Sequence, residues 1–294
     1  MRQSSRLTTP ALVLIIAACS GGSASSDRFE AEQVKTSVDG SQKLPLLSLW
    51  QSGMPAFGVF VPSDRPMRSS DGQFQTPVYS AEGGAILAAN PLLDYVFLNL
   101  ESGWDLNAVS AIREGLDNAE RDSEKALLVR IPPISKDGEQ SARERVHAAR
   151  DAGADGVVMP HVRSEEEARL AVSFFEEVNA NVWSPKNPDG TVLAMLMIED
   201  PGALKQVVEI ADVPGYSVLA CGIGSLSRAL GDREAGEAGN QDVLAQAKRV
   251  GLPDMITANA QDVVRRIEEG FLGLLMSGPD ADEHIEVGRA AAGR

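Results

Sequence analysis

The chain is poor in cysteine, aromatics, histidine and basic residues, and each shortage closes a class of function. Two cysteines in 294 residues cannot build a disulfide framework or a Cys-rich zinc module. Aromatics make up only 5%, so a core has to be assembled from Ala, Val, Leu, Ile and Met. Lys and Arg number 27 against 42 Asp and Glu, a net charge of −15. That balance argues against nucleic acid as a partner, because a polyanion needs a basic face. No apolar run reaches the roughly 18 residues expected of a spanning helix. No G-x-G-x-x-G follows the first expected strand, which removes the main argument for a dinucleotide-binding, doubly wound sheet. What is present, 43% apolar and 23% charged residues, is the composition of a globular domain.

Residues 1–9 carry Arg2 and Arg6 and no acid, an apolar run extends from Ala11 to Ala18, and Cys19 follows. A basic start, a short apolar stretch and small residues before a cut describe a secretory signal peptide. The segment Ile16-Ala17-Ala18-Cys19 also resembles a bacterial lipobox, whose cysteine becomes the acylated first residue of the mature protein. The expected organisation is a signal peptide at 1–18, a flexible tether and lead-in at 19–44, and one domain at 45–294. Ser20–Ser26 is small and flexible enough for such a tether. Serine after the cysteine resembles outer-membrane sorting in Gram-negative bacteria, so the expected location is the periplasmic side of that membrane, held by acyl groups alone. The alternative is an ordinary cleaved signal in which Cys19 is incidental. Cys221 reads as a small buried hydrophobe.

From about residue 55, short apolar runs alternate with amphipathic stretches. Strands are expected at Phe57–Val61, Tyr95–Leu100, Ala126–Ile131, Gly156–Met159, Val192–Ile198, Ser217–Cys221, Asp254–Thr257 and Leu272–Met276. Most are continuously apolar, as parallel strands covered on both faces should be. Helices are expected near Leu106–Glu120, Glu139–Ala152, Glu165–Val178, Gly202–Ala211, Gln241–Val250, Ala260–Glu269 and Asp280–Ala292. Ser164-Glu-Glu-Glu167 reads as a capping box, and Pro201 stands at a first helical position. Eight strands with intervening helices in this length fit a (β/α)8 TIM barrel. Leu44–Trp50 suggests a short helix over the barrel's lower end, and Asp232–Glu237 a solvated face or loop.

Barrel enzymes do their chemistry at the C-terminal ends of the strands. The polar residues there are Glu101 and Ser102, Arg130, Pro160 and His161, Glu199 and Asp200, Gly222–Ser225, Asn259 and Ser277. Arg130 is the notable one, because an arginine inside an apolar strand needs a carboxylate or an anionic ligand. An ion pair with Glu101 or Glu199 and a ligand-binding role are both open for it. Asp200 reads as the cap of the following helix, and Met195 and Met197 as core filler.

Five segments carry a resemblance. Asp151–Ala168 is similar to a G-A-x-x-(V/I)-x-(V/I)-P-x-(V/I) strand followed by a D-E-A helix. Tyr95–Glu101 is similar to D-x-(V/I)-x-(I/L)-D-x-E-H, and Val129-Arg130 to V-R-x-P. Met197-Ile198-Glu199 is similar to Q-I-E, and Gly222–Gly231 to G-P-x-D-L-S-x-x-x-G. Together they resemble the HpcH/HpaI aldolase and citrate lyase family, class II pyruvate aldolases on a metal-dependent barrel of the phosphoenolpyruvate/pyruvate type. The resemblance implies a carbon–carbon lyase for a small 2-oxo acid or related carboxylate, a divalent Mg²⁺ or Mn²⁺ ion, and a homo-oligomer. It implies Arg130 as the enolate clamp, Glu199 as a metal carboxylate, Asp151 as the acid partner of the base, and Glu101 as the glutamate before the catalytic histidine. Gly222 and Ser225 would line the substrate.

The departures from that pattern bear on the chemistry. Ser102 stands where the histidine is expected, Met197 where a glutamine is, and Ser225 where the second metal carboxylate is. No P-P-x-G-x-R-G loop occurs in Asn181–Gly190. His161, at the correct end of the barrel, is the candidate to replace the base or to bind the metal. Two alternatives remain on the same barrel: a non-catalytic lipoprotein binding a small carboxylate through Arg130, or a metal-independent lyase or hydrolase using Glu101, Arg130 and Glu199.

Overall fold

The computed structural model describes residues 44–118 and 124–294. The expected signal peptide, tether and Cys19 lie outside the described residues. Eight parallel strands form the barrel: β1 (Ala56–Phe60), β2 (Tyr95–Asn99), β3 (Ala126–Arg130), β4 (Gly156–Met159), β5 (Leu193–Ile198), β6 (Val218–Cys221), β7 (Met255–Thr257) and β8 (Gly273–Met276). They run in the order β6-β5-β4-β3-β2-β1-β8-β7. The remaining seam is spanned by Leu219 N–H, which donates to Pro253 O at 3.3 Å. Eight parallel strands with helices between them make a (β/α)8 barrel.

Each strand begins or ends within two residues of its sequence expectation. The reason is that its side chains are buried on both faces, so the apolar run and the strand coincide. Tyr95, Phe97, Leu128, Val158, Met195 and Met255 belong to one buried cluster inside the barrel. The helix Pro45–Gln51 closes that cluster from below with Leu46, Leu47 and Trp50. Trp50 is fixed there by its indole N–H, which donates to Leu272 O at 2.8 Å. A second, larger cluster joins the outward strand faces to the surrounding helices. Cys221 is buried in it, and burial pushes its thiol well above the ordinary range, as its reading as a small hydrophobe requires.

Local chemistry sets the helix starts. Ser164 accepts from Glu167 N–H at 3.2 Å, while the Glu167 carboxylate reaches past the cap to Arg163 N–H at 2.8 Å. Asp200 accepts from Gly202 and Ala203 N–H at 2.8 and 2.9 Å, with Pro201 in the first turn, which confirms its capping role. Of the two readings of 232–237 the solvated face is the one observed: Asp232 caps the long helix Arg233–Val250, and Arg233 and Glu234 are exposed on its first turn. Gly222 caps a further helix, Ile223–Leu230, whose early Ser225 and Leu226 N–H groups both bond to Gly222 O at 2.9 Å.

Candidate active site

Four consecutive strands carry one charged or titratable side chain each to the same end of the barrel. Glu101 follows β2, Arg130 ends β3, His161 follows β4 and Glu199 follows β5. Asn99 pairs with Arg130, and Arg130 with Val158, in the parallel register, so Arg130 sits between the other groups. Its Nη2 lies 2.8 and 3.0 Å from the two Glu199 carboxylate oxygens, and 3.0 Å from Oε2 of Glu101. Nε2 of His161 is 3.0 Å from Oε1 of Glu101 and 3.7 Å from Oε2 of Glu199. The cluster is well removed from water: Arg130 is 9% exposed and Glu199 2%.

Two backbone features hold this arrangement. His161 has φ +51°, a left-handed conformation that costs a non-glycine residue about 1–3 kcal/mol. In it, the His161 N–H donates to Glu199 Oε2 at 3.0 Å while the ring reaches Glu101. On the other side, Gly222 leaves the room that Glu199 occupies. A Cβ there would fall 2.5 Å from Glu199 Cγ and Cδ, and closer still to Oε1.

The charges shape one another. Burial alone would push the Glu101 carboxyl up, but the His161 hydrogen bond and the charges of Arg130, His161 and Lys136 outweigh it and hold it below its usual range. The hydrogen bond to Glu101 raises the His161 imidazole above its ordinary value, with further help from the Glu199 charge and against the cost of burial. Lys136 is anchored over this edge by donating to Ser102 O at 2.9 Å.

The cluster does not satisfy Arg130 completely. Its Nε is buried and has no hydrogen-bond partner. Arg130 and Glu199 line a cavity of about 240 Å³ with Met197, Gly222, Ser225 and Phe60. Glu101, His161 and Ser225 line an adjoining opening. A buried arginine that lines a cavity suits an oxygen anion there.

Glu101, His161 and Glu199 each offer a donor atom, all within 4.8 Å of one another. This donor set fits a divalent ion in two respects. Two carboxylates and an imidazole suit a borderline ion such as Mn²⁺ as well as harder Mg²⁺. With His161 uncharged, two carboxylates and one guanidinium leave one negative charge, which a divalent ion and one substrate carboxylate would bring to neutrality.

The structure thus brings together Glu101, Arg130, His161, Glu199, Gly222 and Ser225. It does not bring Asp151 to them. Asp151 is the last residue of the helix Glu139–Asp151, exposed, on the side where β4 begins. A residue preceding a strand lies at the opposite end of the barrel from one following it, so Asp151 does not reach His161; Glu101 does. Sequence reasoning missed Lys136 and the steric role of Gly222, for which the sequence offered only a turn signal.

A family model described as HpcH/HpaI aldolase/citrate lyase matches residues 87–272. The chain is 29% identical over 147 residues to a 2-dehydro-3,6-dideoxy-6-sulfogluconate aldolase of Pseudomonas putida, a match covering 42% of this chain and 57% of that enzyme. The chain therefore spans only a little over half the length of this curated relative. In fold it is similar to an HpcH/HpaI aldolase/citrate lyase family protein of Burkholderia cenocepacia J2315, with a TM-score of 0.60, 21% identity, and coverage of 85% and 98% of the two chains. It is also similar to the citrate lyase beta subunit of M. tuberculosis complexed with oxaloacetate and magnesium, with a TM-score of 0.55, 17% identity, and coverage of 83% and 99%.

Proposed function

This chain belongs to the HpcH/HpaI aldolase/citrate lyase family, and on that premise we propose that it is a carbon–carbon lyase acting on a 2-oxo acid or related small carboxylate. The observation that carries this reading is Arg130 itself, a buried guanidinium held by Glu101 and Glu199 that lines the cavity. Steadied by two carboxylates, it stands where a substrate oxygen would gain negative charge as a bond breaks. Such pre-aimed donors in a water-poor site are the strongest means of lowering this kind of barrier.

Glu199 and Glu101 would hold a divalent Mg²⁺ or Mn²⁺ ion, which when bound supplies Lewis acidity toward the 2-oxo oxygen. Glu101 fixes the His161 ring through Nε2, leaving Nδ1 as the atom that accepts a proton. In the retro-aldol direction the proton of the C4 hydroxyl passes to Nδ1 of His161. The C3–C4 bonding pair moves into the C2–C3 enolate, and C4 departs as an aldehyde. The enolate oxygen rests against Arg130 until C3 takes a proton and the 2-oxo acid leaves. Glu101 offsets the charge His161 gains, as a carboxylate does for a general-base histidine.

Release of pyruvate from 4-hydroxy-2-oxo acids, and decarboxylation of oxaloacetate, should be measurable with Mn²⁺ or Mg²⁺ and should fall steeply in Glu199→Ala and Arg130→Ala. An unchanged rate in Glu199→Ala removes Glu199 from the site. Ligand-induced stabilisation that needs Arg130 but comes with no turnover would favour the binding-protein alternative. The proposal includes export and acylation at Cys19, supported by the lipobox resemblance; incorporation of labelled fatty acid that persists in Cys19→Ser would overturn it.

A further inference from the structure

A cleft of about 1400 Å³ lies beyond the ends of β1, β2 and β8, between the loop 61–80 and the helix Ala81–Ala89. Phe60, Met67, Phe74, Tyr79, Ile86 and Pro279 are among the residues lining it. It adjoins the reacting end on two sides. Phe60 also lines the cavity at Arg130, and Ser102 lines both the cleft and the opening over Glu101 and His161. Ser102 is exposed, and being smaller than the histidine expected at that position it leaves the passage wider.

All of 61–80 joins β1 to the next helix, where such connections usually take about 2–6 residues. Hydrogen bonds give this long loop a fixed course. Asp64 N–H donates to Val78 O at 2.8 Å and Gln75 N–H to Met67 O at 2.9 Å, and Arg68 pairs antiparallel with Phe74. The Arg68 guanidinium also lies over the Phe74 ring, 3.8 Å from its centroid. This framework holds apolar side chains open to the cleft instead of burying them. Phe74 is 73% exposed, Ile86 67% and Met67 48%; the first two are the most exposed large hydrophobics among the described residues. Of the residues lining the cleft only Arg65 and Asp282 are charged, one of each sign, so the lining carries no net charge. An exposed apolar surface that is concave and meets a reacting site is the form of a ligand groove.

We infer that the carbon departing as the aldehyde carries an apolar chain of several carbons, and that this cleft receives it. Continuity with the reacting end selects that occupant. Ser102 joins the cleft to the opening at His161, the base that takes the C4 hydroxyl proton, so a substituent on C4 leads into the cleft. A concave, uncharged lining suits a flexible chain better than the broad face of a second copy. This inference rests on the reading of Arg130 and His161 as the reacting end, and names the class of substrate for that site: 4-hydroxy-2-oxo acids with an aliphatic tail. The bonds made and broken remain those given above.

The test uses straight-chain 2-oxo acids without the C4 hydroxyl, which cannot be cleaved. Affinities of the full chain with Mn²⁺ are measured by calorimetry for 2-oxopentanoate, 2-oxooctanoate and 2-oxodecanoate. A fully buried methylene is worth about a fourfold gain, and one lying in an open cleft about twofold. The longest acid should therefore bind at least about tenfold more tightly than the shortest. In Phe74→Glu and in Ile86→Glu, both at exposed positions, that ratio should fall to within about threefold, while 2-oxopentanoate binds as before. A length dependence that survives in either variant overturns the inference. Equal binding of the three acids also overturns it, and if Ile86→Glu then lowers the sedimentation coefficient of the ligand-free protein, the cleft is a contact between copies. Arg130→Ala keeps the two readings apart. Equal weakening of all three acids upholds the anchor. Unchanged binding of 2-oxopentanoate removes the anchor, whereas the length dependence still reports on the cleft. No binding of any acid by the unaltered protein overturns both.

Discussion

Replacing Arg130 by methionine asks whether the cluster is held by charge. The Glu199 side chain is 1% exposed, so without the guanidinium its carboxylate is stranded out of water. It would keep the His161 N–H at 3.0 Å and the imidazole at 3.7 Å. Removing one partner of a buried pair costs about 3–5 kcal/mol, because the survivor remains desolvated. The neighbouring imidazole relieves part of that, which places the expected loss near the lower limit, about 3 kcal/mol. In a domain of this size each kcal/mol moves Tm by about 2–4 °C, so Arg130→Met should melt roughly 6–12 °C lower. Adding Glu199→Gln removes the stranded charge. Neutralising a buried pair as a whole is close to neutral in stability, so the double variant should return to within about 1–2 kcal/mol of the parent. Glu101, which is half-exposed to the opening, keeps its hydrogen bond to His161 throughout. Thermal and urea unfolding in chelator at neutral pH measures both. A double variant as unstable as the single one, or a single loss below about 1 kcal/mol, refutes the account.

Gly222→Ala should cost about 1–3 kcal/mol through overpacking against Glu199 and should depress lyase activity. Gly224→Ala, where an added Cβ meets nothing within 4 Å, should do neither, and equal effects would remove the steric argument. His161→Gly should separate stability from chemistry. It relieves a left-handed backbone worth about 1 kcal/mol or more and so should hold or raise Tm. Loss of a general base should cut turnover by about 10²–10⁴, and an unchanged rate would exclude His161 as the base. Asp254 supplies a pH test far from the site. It is buried, and burial pushes its carboxyl well above the usual range against the pull of the Met255 backbone N–H and the charges of Lys248 and Arg266. Folding therefore favours its neutral form. Its contribution is fully present below the ordinary carboxylate pKa and is lost as pH rises toward the folded value. Asp254→Asn should accordingly melt above the parent at mildly alkaline pH, with the gap closing in acid; a gap that does not change with pH refutes this.

The barrel was readable in the sequence because most strands are continuous apolar runs, and the polar residues just past several of them mark the mouth. The helix Ala81–Ala89 was not readable, because Glu82-Gly83-Gly84 looks like a loop. Tertiary contact overrides the propensity: Gly84 and Gly115 bring this helix and Leu106–Asn118 backbone to backbone, where an added Cβ on Gly84 would lie 2.6 Å from Ile112 O. For the site, Arg130, Glu199 and Glu101 were legible from type and place. Asp151 was misplaced because matching a motif along the chain ignores direction; the start of a strand and its end lie a barrel height apart. Lys136 acts through the Ser102 carbonyl, a contact that no spacing rule encodes.

The serines at 102 and 225 look like losses when each position is considered alone, but the cluster balances as a unit. Going round the mouth from β2 to β5, the strand ends supply a carboxylate, a guanidinium, an imidazole and a carboxylate. The guanidinium and the imidazole stand between the two carboxylates, so each carboxylate has a partner near 3 Å. The His161 imidazole, carried to the mouth by the end of β4, holds Glu101 in place at 3.0 Å. The left-handed backbone of His161 and the missing side chain of Gly222 are the local costs of that arrangement. Both fall on residues touching Glu199, the most deeply buried charge of the four.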